Sequence, residues 1–165
     1  MSVQDDVSYT RLDFLTRVVK RECRHLETTD QRLFATAFTV AQARQLEHDP
    51  DLAERVEAFV SRFCRLQDTL GHRLLPALLQ ALGEPVAAVI DNLDRAERLG
   101  WLNSTQEWQD VRQLRNQMIH EYMEDPVVLT SALQAGHESV PMLVGAATAM
   151  CGEVQKRGWL GLDGQ

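Results

Sequence analysis

Apolar residues recur along this chain at spacings of three and four, and no sustained alternation of period two appears, so an all-α protein is expected. Tyr9, Leu12, Leu15, Val19, Cys23 and Leu26 trace a first helical stripe. A second helix is expected to start around Thr29 or Asp30 and to carry Leu33, Phe34, Ala37, Val40, Ala41 and Leu46. His48-Asp49-Pro50-Asp51 breaks and restarts the chain, because Pro suits a helix start and Asp favours the positive end of the helix dipole. Leu52, Val56, Phe59, Phe63, Leu66 and Leu70 then form the seam of a long bundle helix, which Gly71 or Pro76 could kink or end.

Gly83-Glu84-Pro85 separates that helix from one over Val86 to Leu99, with Gly100 placed for a left-handed cap. Ser104 and Glu107 have capping-box spacing ahead of Trp108, Val111, Leu114, Met118 and Tyr122, so this helix is expected to run to about Tyr122 or Met123. Asp125-Pro126 ends it and opens a last helical region, which Pro141 is expected to interrupt. The pattern predicts one up-and-down antiparallel bundle of four main helices with short extra helices over residues 1–155. A Gly-rich tail follows over 156–165, in which Trp159 and Leu160 could dock.

A chain of 165 residues, 44% hydrophobic and 25% charged, can bury one core and leaves little room for two. Its opening, Met1 to Asp6, is polar and acidic, unlike a secretory leader, and the stretch Val127 to Met150 contains His137, Glu138 and Pro141, poor company for a membrane span. A soluble, cytoplasmic protein is expected. Cys23, Cys64 and Cys151 lack Cys-x-x-Cys spacing and predict reduced core thiols rather than a disulfide framework or a metal site. The formal charge of −7 excludes broad nonspecific adhesion to nucleic acid but not a local basic pocket.

The chemistry concentrates in Arg115-Asn116-Gln117-Met118-Ile119-His120-Glu121-Tyr122, where a guanidinium, an amide, an imidazole and a phenol fall within about two helical turns. At about 100° per residue, Arg115 and His120 point roughly 140° apart and lie about 7.5 Å apart along the axis, so one straight helix does not converge them. Arg112, Asn116 and His120 recur every four residues on one polar flank, whereas Arg115 shares a face with Trp108, Met118, Ile119 and Tyr122. A guanidinium there needs either a solvated cleft or an acid such as Asp68, Asp91 or Asp94. A second feature is the strip Arg62, Arg65, Thr69, His72 and Arg73, which suits RNA, an acidic partner or an ordinary solvated face.

The pattern Arg-Asn-x-x-x-His-x-Tyr, late in a helix of an all-α domain, resembles the HEPN superfamily and within it the HepT-like toxins paired with MNT-type nucleotidyltransferases. Arg115, Asn116, His120 and Tyr122 carry the match, and the exit through Met123-Glu124-Asp125-Pro126 is also similar. The resemblance implies a homodimer in which Arg and His of both copies meet at one cleft. It implies endoribonuclease chemistry without metal or other cofactor, the RNA 2′-hydroxyl attacking the adjacent phosphate. His120 would then move the proton, Arg115 would stabilise the charge developing on phosphorus and Asn116 would orient the imidazole or a phosphate oxygen. Tyr122 would be the hydroxyl to which a partner nucleotidyltransferase attaches AMP, silencing the nuclease. Arg112, Arg62, Arg65 and Arg73 are the candidate RNA contacts. The competing expectations are a noncatalytic nucleotide-binding or substrate-presenting partner of a nucleotidyltransferase, and a helical interaction protein in which the octad is an ion pair and a capped helix end. Gly-rich phosphate loops, His-Glu-x-x-His, Gly-x-Ser-x-Gly and Gly-x-Gly-x-x-Gly are absent from the sequence, which turns attention away from redox, kinase and zinc-hydrolase chemistry.

Overall fold

A computed structural model of the chain describes residues 2–120 and 124–160. Its elements are α1 (Val3–Leu33), α2 (Val40–Arg44), α3 (Pro50–Thr69), a π-helical turn (Leu70–Leu74), α4 (Leu75–Ala81), α5 (Val89–Arg98), α6 (Thr105–His120) and α7 (Pro126–Lys156). No strand occurs among the described residues, in agreement with the periodicity. Among them, too, no helix is long and apolar enough to cross a membrane.

Four long elements make the bundle, and side-chain pairs fix their directions. Arg62 meets Thr29 while Thr69 meets Glu22, so α3 runs antiparallel to α1. Arg115 meets Asp68 while Trp108 packs on Gly71, so α6 runs antiparallel to α3. His137 meets Asp30 while Trp159 stacks on Tyr9, so α7 runs antiparallel to α1. Leu12, Val19, Leu26, Phe59, Phe63, Leu66, Met118, Leu133, Leu143 and Met150 close the centre. Each such side chain contributes roughly 1.5–3 kcal/mol on burial, which is what offsets the ordering of the helices.

The caps explain where most elements begin. Asp49 accepts from Leu52 N at 3.1 Å with Pro50 in the first turn, so α3 starts where the His-Asp-Pro-Asp break places it. Ser104 Oγ accepts from Glu107 N at 3.2 Å at the start of α6. Asp125 accepts from both Val127 N and Val128 N at the start of α7. Gly100 adopts φ +81° after α5, a conformation that a side chain would strain. The start of α5 is Val89 rather than Val86, because Asn92 reaches back to bond Ala87 N and O and holds the preceding residues in a loop. The helix-bearing domain reaches Lys156, and Trp159 docks by stacking on Tyr9 at 5.0 Å.

Two further sequence expectations are corrected. No helix starts at Thr29 or Asp30: α1 continues through both to Leu33. The two residues that looked like caps are spent on tertiary contacts, Thr29 accepting from Arg62 and Asp30 lying 2.6 Å from His137 Nδ1. Only a short helix, Val40–Arg44, capped by Thr39, falls within the remainder of that segment. Pro141 does not interrupt α7, which spans 31 residues around it. The lost hydrogen bond is outweighed locally by burial of Val140, Leu143, Ala146 and Ala147 on the same helix. At Gly71 and Pro76 the regular winding of the third helix does end, at Thr69, and a π-helical turn over Leu70–Leu74 joins it to α4. Proline has no N–H and crowds the carbonyl four residues back, and the chain answers with one wider turn in which Leu75 N–H bonds Leu70 O.

Candidate functional site

The outer side of α3 and the π-helical turn after it present basic and acidic side chains together, Arg65, Asp68 and Arg73. A groove of about 540 Å³ runs over them, bounded by Glu22 from α1 and Ile119 from α6, with Arg65, Asp68, Thr69 and Arg73 along its length and Cys64 beneath. Arg65 and Arg73 are exposed, as the basic-strip pattern anticipates. Arg115 enters from α6 and donates from Nη1 to Asp68 Oδ1 at 2.5 Å. The acid among the three sequence candidates that meets Arg115 is therefore Asp68, not Asp91 or Asp94.

The Arg115–Asp68 pair is half open to solvent, with side-chain exposures of 25% and 44%. That exposure makes the pair modest in energy and exchangeable, unlike a sealed ion pair. Arg115 Nε is nevertheless buried and has no hydrogen-bond acceptor among the described residues. Next to it, burial pushes the Cys64 thiol up, while the Arg115 guanidinium opposes that shift.

On the opposite bank Glu22 Oε1 accepts from Thr69 Oγ1 at 3.1 Å, and Oε2 is buried without a partner among the described residues. Burial pushes the Glu22 carboxyl above its ordinary range, against the pull of Thr69, Arg65 and Arg73. The groove thus brings two guanidiniums, Arg65 and Arg73, beside two carboxylates, Glu22, whose charged form burial disfavours, and Asp68, which Arg115 engages from α6. Such a surface can take an anionic group through Arg65 and Arg73, which are exposed and in place.

The remaining candidates separate by face. His120, Asn116 and Arg112 are exposed on α6, on the polar flank that their spacing describes, while Arg115 turns toward α3. The divergence of Arg115 and His120 in the helical geometry is retained, and one chain does not bring them to a single point. Arg62 leaves the basic strip: its Nη1 donates to His25 O at 3.1 Å and to Thr29 Oγ1, clasping α3 to α1 away from the groove. Of the four candidate RNA contacts, Arg65 and Arg73 line the groove, Arg112 lies on the neighbouring exposed flank and Arg62 serves the fold. Tyr122 lies outside the described residues.

Glu22 escapes the sequence reading and Cys64 enters it only as a core thiol, since each sits beside an apolar stripe with nothing in its neighbours to mark it for a site. The three cysteines are free and buried, as expected of core thiols. No group of three or more His, Cys, Asp or Glu side chains is arranged to hold a metal ion among the described residues. Searches of family models, curated proteins and solved structures found no match to this chain. The fold places it among all-α helical bundles, and its function has to be argued from the groove and the octad.

Proposed function

We propose that this chain is an endoribonuclease of the HEPN kind, working as a homodimer and silenced by an MNT-type nucleotidyltransferase that attaches AMP to Tyr122. The observation that carries the reading is an exposed imidazole, His120, at the end of α6, on the same helix as a part-exposed guanidinium, Arg115, whose partner Asp68 lines a groove that also holds Arg65 and Arg73. In this reading Arg65 and Arg73 hold the RNA backbone and Arg115 meets the scissile phosphate. The 2′-hydroxyl adjacent to that phosphate attacks phosphorus, forming the 2′,3′-cyclic phosphate and expelling the 5′-oxygen of the next nucleotide. His120, presented from the second copy, moves the proton. Asn116, one turn before His120 on the same flank, steadies the imidazole.

The test is cleavage of RNA by the purified protein in EDTA, with His120→Ala as the contamination control. Cleavage products ending in cyclic phosphate, lost in the His120→Ala protein, are expected. Equal cleavage by both proteins, or a strictly monomeric wild type, would overturn the reading.

A second reading draws on the Arg115–Asp68 pair, which leaves the guanidinium partly neutralised in the free chain. In it the chain is a noncatalytic nucleotide-binding partner of a nucleotidyltransferase. It predicts nucleotide binding that depends on Arg115, with no cleavage of RNA under any condition.

A further inference from the structure

Resting on the RNA-binding reading, we propose that Asp68 is a displaceable latch on Arg115: the carboxylate occupies the guanidinium until an RNA phosphate takes its place. Asp68 is then a positioning residue that sets how tightly the groove holds RNA.

Three observations carry this. Asp68 lines the groove and is the more exposed member of the pair, so it can swing to solvent without opening the core. Arg115 engages it through Nη1 alone, whereas a guanidinium presents five N–H donors in a planar fork. Its Nε remains buried and without an acceptor among the described residues, so Asp68 alone does not satisfy the whole fork. A phosphate, with more acceptor oxygens and more charge, satisfies the exposed edge of the fork better than the single carboxylate oxygen does.

Arg62 supplies the internal contrast. It also crosses a helix seam, but it bonds a backbone carbonyl and a buried threonine, neither of which can move away or be outcompeted by an anion in the groove. Arg115, by contrast, meets an acceptor that lines the groove and is itself part exposed.

The experiment is a double-mutant cycle on binding of a fluorescein-labelled 2′-O-methyl oligoribonucleotide, which binds but cannot be cleaved, followed by anisotropy across a salt series. Asp68→Asn should tighten binding about fivefold at low salt, the size expected for freeing one partly exposed pair. It should also steepen the slope of log K against log salt by about 0.7, one additional single-strand phosphate contact. Neither change should appear when Asp68→Asn is introduced into Arg115→Ala. Tightening that persists without Arg115 would show general removal of negative charge and overturn the latch. Binding that falls in Arg115→Ala but is unmoved by Asp68→Asn would overturn the latch and leave the RNA-binding reading standing. An oligonucleotide that binds neither wild type nor Asp68→Asn overturns both. Should Asp68→Asn lose helicity, Asp68→Ser carries the same cycle with the same expected signs.

Discussion

The α1–α3 seam and the α3–α6 seam are built from the same helix and each is crossed by one arginine, yet the two arginines live differently. Arg62 is held by His25 O and Thr29 Oγ1, both fixed in α1. Arg115 is held by one oxygen of a half-exposed carboxylate and keeps a buried Nε without a partner among the described residues. The first arrangement is complete and contributes to stability; the second is incomplete and exchangeable. A guanidinium's role therefore follows less from its position near an apolar stripe than from whether its acceptors can be replaced.

The comparison can be broken from below. Phe59 is fully buried and packs edge to face on Phe34, tilted on Phe63 and close to Gly136, so it supports both seams. Phe59→Ala should cost about 3–5 kcal/mol in denaturant unfolding. A loss below about 1 kcal/mol would mean that the bundle centre does not hold the seams together.

The two arginines should then part company. Arg115→Ala is expected to lower RNA cleavage by about 10²–10³, the scale of removing one donor to a developing oxyanion, while changing stability by about 1 kcal/mol or less. Arg62→Ala is expected to do the opposite, costing about 1–3 kcal/mol of stability through its charged hydrogen bonds and leaving cleavage per folded molecule unchanged. Paired measurements of unfolding and turnover on both variants check the contrast. Equal stability losses would erase it.

The smallest effect sharpens the contrast on the groove's other bank. Burial raises Glu22 above its ordinary value of 4.5, so its folded form prefers the proton more than its unfolded form does. The stability tied to this group is fully present below pH 4.5 and is lost as pH rises through the higher folded value. Glu22→Gln should therefore unfold later than wild type at pH 7, by under about 1 kcal/mol because groove solvent screens the charge, with the gap closing at acid pH. A thermal unfolding series across pH checks it; a gap that widens on acidification would reverse the sign.

Local chemistry carried much of the fold into the open before any contact was known. Asp49-Pro50, Ser104 with Glu107, Gly100 and Asp125-Pro126 each mark an element end, because capping is satisfied within a few residues of where it is needed. Thr29 and Asp30 misled for the same reason. Their oxygens are as well suited to a cap as any, but Arg62 and His137 arrive from other helices and claim them. Pro141 misled because burial around it outweighs its local cost, and burial belongs to the neighbours.

The candidate site divides along the same line. Spacing alone determined that the chain is helical, that Arg112, Asn116 and His120 share one flank, and that Arg115 turns away from them, since an α-helix rotates every side chain by a constant angle. Only the tertiary structure decided that Arg115 meets Asp68 rather than Asp91 or Asp94, that Arg62 leaves the basic strip, and that Glu22 faces Arg65 and Arg73 across a groove. These are pairings between residues of separate helices, and they depend on how the helices are rotated against one another as the apolar core closes, which no single helix can specify.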